Sequence, residues 1–235
     1  MGKTQAKDRI VAFVHAKGAS ERVPNKNLRP LGDRPLFCHA ISNARASALV
    51  TDVVIDSDSD EILRIGESFG AVPLKRQKEL ATNATTGDEL AYWQASNYPG
   101  SSIVLQVIPT SPFIRPSSID GAIQLLLERR VDTVVGVFRE PLYLWIDGKP
   151  AYFGPDDRIP NSSQLPPVIY ETTGLYVNRT EFVLNQKRRI SRESCAPYYL
   201  SRLESVDINY PEDFELAELL WHGLHALHEK AGETS

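Results

Sequence analysis

A three-layer α/β fold, in which helices cover both faces of a mostly parallel sheet, is predicted by three observations. Apolar, β-branched runs at residues 10–14, 52–57, 71–75, 102–108 and 132–138 alternate with segments of helical period. Loops of ligand-binding type, one rich in small and cationic residues and one reading P-T-S-P, follow the first and fourth of these runs, where open α/β sheets bind ligands. The length of 235 residues, with 42% hydrophobic and 24% charged, suits a single domain over 1–235 with ample chain for a core.

In chain order, the first strand empties into Lys17-Gly-Ala-Ser-Glu-Arg-Val-Pro-Asn-Lys-Asn27. Residues 36–48 place Leu36, Ala40, Ile41 and Ala44 on one helical face. The second strand exits through Asp56, Asp58 and Asp60, acids suited to capping a helix that runs to Phe69 and stops at Gly70. A polar stretch from Arg76 to Thr86 precedes a helix over 87–97. Ser117 and Ser118 offer an N-cap for a helix ending near Arg130. Beyond residue 138 the alternation breaks, and Asp147-Gly148 signals a turn between short strands. Pro211, with acids after it, starts the last helix.

A net charge of −4 argues against a nucleic-acid binder that works through a global basic field. Cys38 and Cys195 lie far apart without metal-ligand spacing, so a reducing cytoplasm is the expectation. Residues 1–8 are polar, and no run approaches a membrane span. His222, His225 and His228 lie near the end of the last helix, where histidine complements the helix dipole, and no acid or cysteine completes a metal set. The basic run Lys187, Arg188, Arg189 and Arg192 reads as a solvated face in preference to a phosphate contact.

The loop after the first strand has the chemistry a polyphosphate needs. Gly18, Ala19 and Ser20 let backbone N–H groups approach a ligand closely, and Lys17, Arg22 and Lys26 supply charge. Its spacing matches neither a Walker loop nor G-x-G-x-x-G. At residues 207 and 209 a carboxylate and an amide, two apart, point to one side of an extended segment, where both can offer oxygen to one cation though only Asp207 brings charge.

K-G-A-S-E-R-V-P-N-K-N resembles the signature loop of the CMP-sugar synthetases, the acylneuraminate and Kdo-type cytidylyltransferases, which read R-x-G-S-K-G-x-P-x-K-N or R-x-x-S-x-R-x-P-x-K. Further segments resemble that family in the same order. They are 56–60 with S-T-D-D-E-E-I, 76–86 with R-P-x-x-L-A-x-D-T-x-S, the P-T-S-P turn at 109–112, 161–167 with N-R-Q-x-L-P-P, 170–177 with N-G-A-I-Y, and 207–217 with D-I-D-T-P-x-D-F-x-x-A. The resemblance implies a Rossmann-like fold of the nucleotide-diphospho-sugar transferase type, with residues 139–172 as an excursion for dimerisation and the acceptor site.

It also implies a cytoplasmic homodimer that uses CTP and Mg²⁺ to transfer CMP to a small acidic acceptor, a sialic-type sugar acid, releasing pyrophosphate, without nucleic-acid or membrane partners. Lys17, Arg22 and Lys26 would serve the phosphates catalytically. Ala16, Gly18, Ala19, Ser20, Asn27, Arg76, Thr85 and Thr86 would bind the nucleotide, Gln106, Thr110, Ser111 and Thr173 the acceptor, and Asp207 with Asn209 the metal.

Three departures from the family pattern, Ile108 for Gln, Ser162 for Arg and Thr173 for Asn, fall on the acceptor side. They leave open a small phosphonate such as phosphonoformate as acceptor. Two other readings are a nucleotide-binding protein without turnover, and a glycosyltransferase of related fold using Asp56-Ser-Asp58 as its D-x-D.

Overall fold

The computed structural model describes residues 9–20, 22–154 and 156–232, with side chains through 227. The polar stretch 1–8, Glu21, Pro155 and the side chain of His228 lie outside the described residues.

The chain runs β1 (Ile10–His15), a small hairpin of β2 (Pro30–Leu31) and β3 (Arg34–Pro35), α1 (Leu36–Arg45), β4 (Asp52–Ser57), α2 (Asp60–Ser68) and β5 (Val72–Lys75). It continues through α3 (Gly87–Asn97), β6 (Ile103–Val107), α4 (Pro116–Arg129), β7 (Thr133–Pro141) and a second small hairpin of β8 (Trp145–Ile146) and β9 (Lys149–Pro150). The last elements are β10 (Pro167–Arg179), α5 (Thr180–Gln186), β11 (Cys195–Tyr199) and α6 (Pro211–Gly232).

Seven strands form one sheet in the order β11-β7-β10-β6-β1-β4-β5. β10 is antiparallel to both neighbours, and the other pairs are parallel. β1 is apolar throughout because both its faces are covered. Ile10, Ala12 and Val14 pack into the layer of α1 and α4, while Val11 and Phe13 face Ala91 and Ala95 of α3 and Val183 of α5. A third cluster holds the start of α6, where Phe214 and Ala217 meet Val23, Leu31 and Leu36.

Local chemistry accounts for the helix ends. Ser59 caps α2, its side chain accepting from the Ile62 N–H, and Gly70 at φ +84 ends the following turn. The acids around Ser59 take other roles. Lys75 Nζ bonds Asp60 at 2.6 Å, whereas Asp56 accepts from Arg76 Nε and Asp58 from the Gly18 N–H. α4 begins at Pro116 with Arg115 as N-cap, in place of the serines expected there. Proline already has the right φ and lacks the N–H that a first helical turn cannot satisfy. Asp147 and Gly148 both take positive φ, 50° and 74°, giving the turn between β8 and β9.

β7 and β10 extend beyond the sheet as a long antiparallel arm pairing Pro141 with Pro167. The segment between them exposes large apolar side chains, with Trp145 60% and Ile146 57% accessible. Among the described residues no helix is long and apolar enough to cross a membrane.

Candidate active site

β4 and β5 extend the sheet to one side of β1, and β6 joins it on the other. The connections therefore diverge between β1 and β6, and a crevice opens at their carboxyl ends. There lies a cleft of about 520 Å³. One wall is the loop after β1, with Lys17, Ser20, Arg22, Lys26 and Asn27. Arg76, Leu80, Thr82, Asn83, Thr85 and Leu90 form a second wall. His15 and residues 108–110 complete the lining.

The cationic loop is held by its own polar atoms. The Gly18 N–H donates to Asp58 Oδ1 at 2.9 Å, and a Cβ at Gly18 would sit 3.0 Å from Ser59 Cβ. The Ala16 N–H donates to the Asp56 carbonyl at 3.0 Å, and Asn27 Nδ2 to the Lys17 carbonyl at 2.9 Å. Lys17 Nζ donates to Asn83 Oδ1, and the Arg22 guanidinium lies 5.4 Å from the Tyr210 ring centroid. Lys26 Nζ donates to the Ile208 carbonyl at 2.8 Å, while the Ile208 N–H donates to the Thr110 carbonyl at 2.9 Å. The backbone of one residue thus ties together the loop after β1, the P-T-S-P turn and the segment before α6. Burial pulls the Lys26 ammonium below the usual lysine range, and Asp207 opposes that pull.

Under the cleft Arg76 is paired with Asp56, both side chains being almost wholly buried, at 2.8 Å from Nε to Oδ1. Asp56 also accepts from Gln94, and Asp58 accepts from Gly18. Both carboxylates of the D-x-D pattern are therefore engaged within the protein, which disfavours their use as a metal pair. His15, at the end of β1, has a buried Nδ1 without a partner. Its burial, with Arg76 and Arg189 nearby, lowers it to about 3, so the imidazole facing the cleft is neutral.

Asp207 and Asn209 are joined by a 2.6 Å bond from Asn209 Nδ2 to Asp207 Oδ2. Thr173 Oγ1 lies 3.1 Å from the same oxygen. A bulge in β10 between Glu171 and Tyr176 brings Thr173 there, at φ +59. Gly174 allows the bulge to close, since a Cβ there would lie 2.6 Å from Ser111 Oγ. Asp207 Oδ1 is buried and has no partner. An unpaired, buried carboxylate oxygen is a donor of the kind a hard divalent cation takes, although Asn209 turns its NH₂ group, not its carbonyl, toward Asp207. Among the described residues no group of three His, Cys, Asp or Glu side chains is arranged to hold a metal.

The structure thus brings Lys17, Ser20, Arg22, Lys26, Asn27, Arg76, Thr85 and Thr110 to one cleft. Ala16 and Gly18 shape its loop from behind, and Ala19 is absent from the lining. Asp207, Asn209 and Thr173 also lie outside it, linked through Lys26 and Ile208. Three expected contacts take other roles. Thr86 is the N-cap of α3, in a reciprocal capping box with Glu89. Gln106 is buried in β6 and bonds Gln94, and Ser111 is buried against Gly174.

Sequence reasoning missed His15, Leu80, Leu90 and the Asp56–Arg76 pair. The carboxyl-end position of His15 was a usable signal. The basic run is not a uniform solvated face, because Arg189 is partly buried 3.8 Å over the Tyr176 ring. His222 and His225 pack against Trp221, at 5.1 and 4.2 Å between ring centroids.

A sequence profile of the cytidylyltransferase family matches residues 11–217. The chain is 31% identical over 228 residues to a CMP-N,N'-diacetyllegionaminic acid synthase of Legionella pneumophila, covering 90% of this chain and 96% of that protein. It is 21% identical over 226 residues to a pseudaminic acid cytidylyltransferase of Campylobacter jejuni, covering 92% and 97%. Among solved structures, a CMP:2-keto-3-deoxy-manno-octonic acid synthetase complexed with CTP superposes with a TM-score of 0.69 at 14% identity, over 92% of this chain and 99% of that one. At that identity the superposition speaks for the fold.

Proposed function

Because the chain belongs to the cytidylyltransferase family, and so is a nucleotidyltransferase, we propose that it transfers CMP from CTP to a nonulosonic acid of the sialic or legionaminic type, releasing pyrophosphate. The observation that carries this reading is the convergence of Lys17, Arg22 and Lys26 with Arg76 and Thr85 on one cleft at the sheet's switch point. Such a cleft offers cations to a triphosphate at one end and polar donors to a pyrimidine at the other.

Attack by an acceptor oxygen on the α-phosphorus gains chiefly from alignment and charge neutralisation. Lys17 and Arg22 steady the phosphates and the leaving pyrophosphate. Lys26, tethered to the Ile208 carbonyl, couples the cationic loop to the Asp207 segment. Arg76 and Thr85 meet the base. Thr110, at the mouth of the P-T-S-P turn, and Thr173, beside Asp207, face the acceptor. Asp207 would hold Mg²⁺ through its unpaired Oδ1, with Asn209 beside it, and the ion would neutralise triphosphate charge and polarise the phosphoryl group.

The protein acts as a cytoplasmic homodimer through the 139–172 excursion, a reading supported by the exposed Trp145, Ile146, Ile159, Ile169 and Tyr170. Its net charge of −4 gives no support to a nucleic-acid partner.

The test is pyrophosphate release with CTP and Mg²⁺ across sialic, legionaminic, pseudaminic and Kdo-type acids and phosphonoformate. Release with a nonulosonic acid is expected. Release with phosphonoformate alone would replace the sugar acid with a phosphonate, and CTP binding without release under any acceptor would overturn the transferase reading.

A further inference from the structure

A chain of buried polar side chains lies beneath the cleft, and phosphate transfer does not call for it. Asp56, Arg76, Gln94 and Gln106 are each less than 5% exposed. β4, the loop after β5, α3 and β6 contribute one residue apiece. Arg76 Nε donates to Asp56 Oδ1 at 2.8 Å, and Nη2 donates to the Asp56 carbonyl at 2.9 Å. Gln94 Nε2 donates to Asp56 Oδ2 at 2.8 Å, and Gln106 Nε2 to Gln94 Oε1 at 2.8 Å.

The direction of this chain is dictated from one end. A carboxylate only accepts, so Gln94 must present its NH₂ to Asp56 and its carbonyl to Gln106. Gln106 must then donate in turn, and its own Oε1 is left buried without a partner. Burying an ion pair costs desolvation that an apolar filling of the same space avoids, and an unpaired acceptor adds to that cost. What the arrangement secures is the orientation of one guanidinium. Its Nε–Nη2 edge is taken by Asp56, so the Nη1 corner is the part available to a ligand in the cleft that Arg76 lines.

We infer that Asp56 and Gln94, backed by Gln106, are positioning residues that lock the Arg76 guanidinium in one orientation and so set which nucleobase the cleft accepts. The inference rests on the CTP reading above. Cytosine presents an acceptor at N3, beside O2, to which a fixed Nη1 N–H can donate. Uracil presents an N3–H donor at that position, which opposes the same donor. A freely rotating arginine adapts to either edge, whereas a clamped one discriminates.

The test is equilibrium binding of CTP, UTP and inorganic tripolyphosphate to the full-length wild type and to Asp56→Asn, Gln94→Met and Arg76→Lys. Gln94→Met keeps volume and replaces a network member with an apolar side chain, so it reports even where Asp56→Asn fails to fold. The wild type should prefer CTP to UTP by at least about tenfold. Gln94→Met and Arg76→Lys should each reduce that ratio by roughly fivefold or more, with tripolyphosphate affinity changed by less than about twofold. A CTP:UTP ratio that survives Gln94→Met unchanged overturns the positioning role. So does a parallel loss of CTP and tripolyphosphate affinity, the mark of general structural damage. A wild type without preference for CTP removes the nucleotide reading itself, and the inference with it.

Discussion

Replacing Glu204 with Gln should destabilise the protein by about 3 kcal/mol at neutral pH. Glu204 is 1% exposed and staples two site-forming segments. It accepts from the Arg115 N–H at 3.1 Å and Arg115 Nη2 at 2.8 Å, just after the P-T-S-P turn, and from the Ser201 N–H and Oγ at 3.1 and 2.6 Å, ahead of Asp207. Burial alone would push the carboxyl up, but the bonds from Arg115, Ser118 and Ser201 outweigh it and hold it down at about 2, against an ordinary 4.5. At ~1.36 kcal/mol per pH unit, that gap corresponds to about 3 kcal/mol favouring the ionised folded state. For a chain of this length the loss amounts to a Tm lower by roughly 6–12 °C.

Because the folded-state value is depressed, the contribution is fully present above the unfolded carboxyl's pKa and is lost as pH falls toward about 2. Denaturant unfolding of wild type and Glu204→Gln at pH 7, 5.5 and 4 checks both statements. The difference should stay constant between pH 7 and 5.5 and shrink by roughly 1 kcal/mol at pH 4. A Tm within about 2 °C of wild type, or a difference that widens on acidification, would mean that the Glu204 carboxylate does not hold these two segments together.

Other consequences are separable. Thr173 is a β-branched residue at φ +59, a conformation that Asn tolerates better, so Thr173→Asn should raise stability by about 1 kcal/mol in calorimetry. A loss would mean that the Thr173–Asp207 hydrogen bond outweighs the strain. Lys17→Ala should lower kcat by roughly 10²-fold with a smaller change in KM for CTP, and intact turnover would separate Lys17 from the phosphates. Sedimentation should find a dimer for the wild type and a monomer at micromolar concentration for Trp145→Glu. A Trp145→Glu protein that stays dimeric moves the interface away from the exposed arm.

What the sequence made legible was whatever depends on neighbours along the chain. Strand alternation, the helix over 87–97 and the cationic loop after β1 all follow from local period and composition, and each is present. Gln106 lies two residues before Ile108, but its depth was not legible in the sequence, because Gln94 on α3 bonds Gln106 while Ile108, one residue beyond β6, reaches the cleft. The Asp56–Arg76 pair spans 20 residues and forms because β4 and β5 run parallel with Ser57 opposite Lys75. No local pattern encodes such a contact. Thr86 illustrates a different ambiguity, for a hydroxyl before a helical run suits a ligand and an N-cap equally, and Glu89 three residues on was the clue to the cap.

Transfer of CMP is followed in one experiment by ³¹P NMR of the wild-type protein with CTP, Mg²⁺ and an N-acylated nonulosonic acid. One new phosphodiester resonance should grow in equal amount with pyrophosphate. Conversion of CTP to CDP and inorganic phosphate, or to CMP and pyrophosphate with no conjugate, would rule out CMP transfer to the sugar acid.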